Sequence, residues 1–185
     1  MDNPHPRRSR SRSRPRPRCA LAVVVLLAGP LGGCSANAGA LVALDDGQAT
    51  VCAPADAQGR AVFGVSTVQN RSGAAIDVVS ARLVQPDDME LLGLELRSTD
   101  DQDAQVVGMD YDRYGPLSIR LPEALAAGDA RTTLVGVGVP PDSGGAAASL
   151  ELSYRADHGF NGTAVTRVAM VVVPFGEVCR MAEIG

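Results

Sequence analysis

The 185-residue sequence predicts an all-β chain folded as an antiparallel β-sandwich. Three observations predict it. Apolar side chains recur at every second position in one run after another, the period of a strand with one buried face. Clusters of Pro, Gly, Asn, Asp and Ser separate these runs about every ten residues. Only one short stretch, PEALAAG at 122–128, suggests a helical turn. About seven or eight short strands with this spacing is the pattern of a sandwich.

The elements follow in chain order. The run RAVFGVSTVQ at 60–69 is rich in Val and stops at the turn cluster Asn70-Arg71-Ser72-Gly73. The run AAIDVVSARLVQ at 74–85 ends at Pro86-Asp87-Asp88. Within 89–97, Leu92, Leu94 and Leu96 share one face. Leu117, Ile119 and Leu121 alternate with Ser118 and Arg120, and Val135, Val137 and Val139 with Gly136 and Gly138. Ala148, Leu150, Leu152 and Tyr154 alternate with Ser149, Glu151, Ser153 and Arg155. Ala164, Thr166, Val168, Met170 and Val172 form one face of the last long strand. Its other face mixes Val165, Arg167 and Val171, so both sides are expected to be covered along part of its length. The links PPDSGG at 140–145 and DHGFNG at 157–162 are turn sequences. Asn161-Gly162 suits a turn that needs positive φ.

The start of the chain has another composition. Residues 1–18 hold Arg7, Arg8, Arg10, Arg12, Arg14, Arg16 and Arg18 among Ser and Pro. Such a segment cannot bury an apolar face. Residues 19–33 are mostly Ala, Val and Leu, and Gly29, Pro30, Gly32 and Gly33 interrupt their end. This run is shorter than the roughly 20 apolar residues of a bilayer-spanning helix. A basic head, a short apolar middle and a small-residue exit describe a secretory signal peptide.

The exit, Leu31-Gly32-Gly33-Cys34, resembles the bacterial lipobox. The resemblance implies a diacylglyceryl group on the Cys34 thiol and cleavage just before it, which removes residues 1–33. One acyl chain holds a membrane only marginally, whereas two, at about 0.8 kcal/mol per buried methylene, hold it firmly. Competing readings are an ordinary export cut that leaves Cys34 unmodified and an uncleaved anchor. Arg7-Arg8 leaves the twin-arginine export route open beside the general one. Residues 34–47 then form the lipidated N-terminus and a flexible tether, beginning with the small residues SANAGA at 35–40. Residues 48–185 form the sandwich domain.

Seven of the 17 basic and one of the 21 acidic residues precede Cys34, leaving ten and twenty, a formal net charge of −10. Such a surface repels phosphate backbones, so no nucleic-acid partner is expected. Every basic residue is Arg, which, with so much Ala, Gly and Val, points to a GC-rich coding sequence rather than a functional choice. Cys19 leaves with the signal and Cys34 is claimed by lipid, so Cys52 and Cys179 remain. Outside the cytoplasm such a pair reads as a disulfide. Closing so long a loop contributes about 4–5 kcal/mol in the chain-entropy account. Free buried thiols and a redox or metal-binding pair are the alternatives; no CxxC is present.

Two motifs add a resemblance. Asn70-Arg71-Ser72-Gly73 before a Val-rich strand, and Leu121-Pro122 through Ala127-Gly128-Asp129 before another, resemble the turns and corners of immunoglobulin-like domains in bacterial envelope proteins. The whole chain is similar to the small lipoproteins of high-GC Gram-positive bacteria. The resemblance implies an immunoglobulin-like sandwich. The chain departs from the antibody type in having no Trp and in carrying its Cys pair near the domain's ends.

A search for chemistry returns little. His158 is the one histidine after Cys34, in a turn, where solvation explains it. No G-x-S-x-G, P-loop, G-x-G-x-x-G or H-E-x-x-H occurs, so no catalytic residue is assigned and no enzyme is expected. Asp100, Asp101 and Asp103, followed by Asp110 and Asp112, form an acidic segment. Calcium takes six to eight oxygen ligands, which makes these five the candidate calcium set. A solvated loop is the plainer reading. Met89, Met109 and Met170 are too scattered for copper. Tyr111 and Tyr114, with Arg113 between them, offer a small contact surface or two half-buried loop tyrosines. The expected protein is lipid-anchored on the extracytoplasmic face of the cell membrane. It has no cofactor beyond the Cys34 lipid, and it binds or scaffolds an envelope protein without catalysis. The alternative is a calcium or small-ligand binder using residues 100–112.

Overall fold

Alternating apolar residues build two sheets whose inner faces share one core. The computed structural model describes residues 39–45, 47–101, 108–111, 117–156 and 159–180. Along these run β1 (Leu41–Ala43), β2 (Ala49–Pro54), β3 (Arg60–Asn70), β4 (Ile76–Val84), β5 (Glu90–Ser98) and β6 (Met109–Asp110). Then come β7 (Glu123–Leu125), β8 (Ala130–Gly138), β9 (Gly145–Ala147), β10 (Ser149–Ala156), β11 (Asn161–Val165) and β12 (Val168–Val173). No helix among the described residues is long and apolar enough to cross a membrane.

One sheet has the order β1-β3-β8-β5, with β6 also on β3, and the other β11-β10-β4-β7. Lettered in chain order, with β2, β6, β7, β9 and β12 set aside as additions, these are A-B-E-D and G-F-C. That is the two-sheet order of the immunoglobulin topology. A third, smaller sheet, β2-β12-β9, joins the two chain ends, with β2 parallel to β12 and all other pairings antiparallel. The core packs Phe63, Val68, Leu94, Leu96, Val135 and Val137 of the first sheet against Ile76, Val78, Leu150, Leu152 and Tyr154 of the second. Burying each such side chain fully is worth about 1.5–3 kcal/mol.

Several sequence expectations are corrected by local geometry. Leu92 does not share a face with Leu94 and Leu96. A register shift between Leu91 and Gly93 inserts an extra residue, and such a bulge flips the side chains before it. Leu91 therefore turns to the main core, while Leu92 packs on the outer face. Residues 117–121 form no strand. Leu117 is buried in the outer cluster with Val62, Tyr111 and Leu134, Leu121 packs against the main core, and Ile119 between them is 52% exposed. The segment expected to turn as a helix instead supplies β7, paired with Ile76, Asp77 and Val78 of β4.

The last long strand keeps its buried face of Ala164, Thr166, Val168, Met170 and Val172 but breaks at Thr166-Arg167. Before the break β11 pairs with β10, and after it β12 pairs with β2 and β9. Thr166 bridges the break: its Oγ1 accepts from the Leu150 amide at 3.0 Å, and its own amide donates to Leu150 O at 2.9 Å. Ala147 is buried and Ala148 exposed, the reverse of the alternation read from sequence. The positive φ of the β10–β11 turn falls at Gly159, whereas Asn161 and Gly162 are already in β11. The sandwich begins before residue 48: Leu41 is buried in the core and β1 pairs with β3.

Candidate functional site

Strand directions define two ends of the sandwich. At the near end the chain enters at Gly39 and Ala40, β3 finishes at Asn70, and β10 turns into β11. Asn70 organises this end. It is fully buried, and its Nδ2 donates to Ala74 O at 2.8 Å and toward Leu125 O and Ala126 O, both at 3.0 Å. Its Oδ1 accepts from the Ser72 amide at 2.9 Å and the Ser72 hydroxyl at 2.6 Å. The Asn70 backbone bonds Asp129 O and the Gly128 amide, both at 2.9 Å. The turn at 70–73 and the corner at 121–129 therefore meet at one side chain.

The incoming chain is fixed at the same end. The Arg71 amide donates to Ala40 O at 2.6 Å, and the Ala40 amide donates to the Tyr154 hydroxyl at 3.2 Å. Gly162 permits this, because a Cβ there would meet the Tyr154 ring at 2.9 Å. Asp45 ties down the stretch after β1, accepting from the Ser66 hydroxyl and from the Arg167 amide. Phe160, in the β10–β11 turn, is 48% exposed, and Arg71 is exposed. Asp157 and His158 of that turn lie outside the described residues, as do Leu31, Gly32, Gly33 and Cys34.

The far end is closed by charge and by sulfur. Asp56 is buried in the turn before β3. Its Oδ1 accepts from the amides of Gln58 at 2.9 Å and Arg60 at 2.8 Å, and its Oδ2 from Arg60 Nε at 2.9 Å. Burial pushes this carboxyl up, but the Arg60 amide and guanidinium and the Gln58 amide outweigh it and hold it below the ordinary range. Gly59, at φ 78°, completes the turn against Val139. Cys52 on β2 is bonded to Cys179 with a Cα–Cα distance of 5.9 Å, and thus pins the segment after β12. Between that segment and the strands lies an open cavity of ≈ 490 Å³ lined by Cys52, Val171, Val173, Gly176, Glu177, Val178 and Arg180. Phe175 and Val178 beside it are 63% and 78% exposed.

The acidic segment is divided between the two ends. Asp100 and Asp101 follow β5, whose Ser98 pairs with Arg131 near the start of β8. Asp110 sits in β6 opposite Ala61, which itself pairs with Val137 near the end of β8. Six residues of strand separate those two levels, roughly 20 Å. A calcium ion holds its ligands at about 2.3–2.6 Å, and the backbone at Asp100 and Asp101 is separated from that at Asp110 by most of the length of β8. Asp103 and Asp112 lie outside the described residues. Asp101 Oδ2 lies 3.5 Å from Arg97, whose guanidinium also grips Glu95 at 2.9 Å. Among the described residues no three His, Cys, Asp or Glu side chains gather to hold a metal. Tyr111 is a buried member of the outer cluster, with the Arg60 guanidinium 4.6 Å from its ring centre. Tyr114 and Arg113 lie outside the described residues.

Sequence reading singled out the Asn70 turn but not its reach into the β7–β8 corner, since the carbonyls involved lie 55 and 56 positions away. Asp56 is not among the sequence-predicted site residues. The signal was present, because Asp56-Ala57-Gln58-Gly59 places a carboxylate three residues before a glycine, the chemistry of a tight turn.

No protein-family model and no curated protein matches the chain. Among solved structures it is similar to the ASH/PapD-like domain 7 of human CEP192. Identity is 8%, the TM-score is 0.39, and the match covers 88% of this chain and 100% of that one. A likeness this distant says nothing of what the chain binds.

Proposed function

We propose that the chain is a lipid-anchored protein of the extracytoplasmic membrane face whose immunoglobulin-like sandwich is a non-catalytic binding or scaffolding module. One observation supports this most directly. The Leu31-Gly32-Gly33-Cys34 sequence ends a basic and apolar leader, and the fold starts only six residues later, at Ala40. A signal peptide, a modified cysteine and a short tether account for every residue before the domain. Anchoring at one end leaves the far end and the sheet faces free for an envelope partner.

The test is Cys34→Ser in the full-length chain expressed in a Gram-positive host. The parent is expected in the membrane fraction, with a diacylglyceryl mass on its N-terminal cysteine. The variant is expected in the medium or retained with its leader uncut. A parent with an unmodified thiol, or a mature variant that fractionates like the parent, overturns the anchor. Crosslinking on intact cells tests the binding role, which fails if no specific neighbour is recovered.

A further inference from the structure

We propose that the near end of the sandwich sits in the headgroup layer of the bilayer, with Phe160 as its apolar contact and Arg71 as its charged one. This rests on the anchor reading above and adds which surface meets the lipid.

The reach of the tether carries the argument. Six residue steps join Cys34 to Ala40, which span at most about 20 Å. The 11 residues of β3 run from one end of the sandwich to the other, roughly 36 Å at the rise of a strand. To invert the domain and set Phe175 and Val178 on lipid, Ala40 would have to stand that far above the surface, beyond the tether. Lying flat on the β11-β10-β4-β7 sheet exposes Val79 and Val165 to lipid. That face also carries the cross-strand pairs Arg82–Glu151 and Arg155–Asp77, and dehydrating them opposes the pose.

The near end is within the tether's reach, and its own ion pairs, Arg97–Asp101 and Arg131–Asp129, belong to β5 and the start of β8 in the other sheet rather than to the Phe160 turn. Phe160 stands two residues before Gly162, which lies against Tyr154, and the Tyr154 hydroxyl holds Ala40. Phe160, half exposed, is therefore two residues along the chain from the contact that holds the start of the domain. Arg71 is held to the same Ala40 by its amide and enters no ion pair among the described residues. Apolar side chains in the interface reach about 5–10 Å below the headgroups, and a guanidinium pairs well with lipid phosphate.

The chain has no tryptophan, so one introduced Trp reports its own surroundings. The lipidated protein carrying Phe160→Trp, and separately Phe175→Trp, is reconstituted on phosphatidylcholine–phosphatidylglycerol vesicles with and without brominated acyl chains. Both sites are exposed, and each variant is first matched to the parent's melt. The expected result is a blue shift and several-fold stronger bromine quenching for Phe160→Trp than for Phe175→Trp. Equal quenching, or stronger quenching at 175, in protein that floats with the vesicles overturns the proposal while the anchor stands. Protein that does not float overturns both.

Discussion

At the near end, the turn after β3 and the β7–β8 corner are tied together through one neutral side chain, Asn70, and its backbone, and Arg71 and Tyr154 beside it hold the incoming chain. At the far end the corresponding closures are a carboxylate, Asp56, and a disulfide, Cys52–Cys179. Both ends solve one problem, the satisfaction of buried polar backbone where strands stop. They solve it with different sensitivities. An amide neither titrates nor reduces, so the Asn70 junction itself holds at any pH and redox state the fold survives, while the Asp45 and Asp129 carboxylates accept backbone amides around it. The far end responds to both.

Removing the disulfide is the strongest way to press on that contrast. The bond joins residues 127 positions apart, and opening so long a loop in the unfolded chain costs about 5 kcal/mol of stability. Cys52→Ser with Cys179→Ser is expected to lower the urea midpoint by a corresponding amount. Hydrogen exchange is expected to quicken first in β2 and β12, while the amides of Asn70 and Gly128 stay protected up to global unfolding. Equal early exchange at both ends would show that the ends are not separate units.

Asn70→Ala comes second. It leaves the carbonyls of Ala74, Leu125 and Ala126 and the Ser72 amide without their partner. With buried polar groups at about 1–3 kcal/mol each when unpaired, and some recovering water, a loss of about 3 kcal/mol is expected. No titrating group takes part, so the loss should be the same at pH 7 and pH 4. A loss that changes with pH would couple the Asn70 junction to the neighbouring Asp129 carboxylate, which accepts from the Ala126 amide.

What was legible in the sequence divides along similar lines. Strands with strict alternation, such as β10 with Leu150, Leu152 and Tyr154 inward, were read correctly because period two directly reports burial. Leu92 was misread because a bulge changes the period without a marker in the residues themselves. β1, β2 and β9 are not legible because three to six residues, mostly small, are too short to carry a periodicity. They are strands only because β3 and β12 offer them an edge. The Cys52–Cys179 pair was legible by elimination. The acidic segment looked like one site because its carboxylates are close in sequence. The backbone at Asp101 and at Asp110 instead lies at opposite ends of β8.

Asp56→Asn is the smallest and most discriminating change. The amide keeps the shape of the turn but gives up charge on the bonds from Arg60 and Gln58, a loss of about 1–2 kcal/mol at neutral pH. Its sign with pH follows from the direction of the shift. The folded carboxyl lies below its ordinary value of 3.8, so its contribution is complete above the unfolded value and disappears as pH falls through the lower, folded one. Parent and variant should therefore differ most in urea midpoint at pH 6 to 7, and the gap should close below pH 3.8. The Asn70→Ala gap over the same interval should stay constant. If the Asp56 gap also stays constant, or widens in acid, the carboxylate is not what holds the far turn, and the two ends are closed by the same kind of chemistry after all.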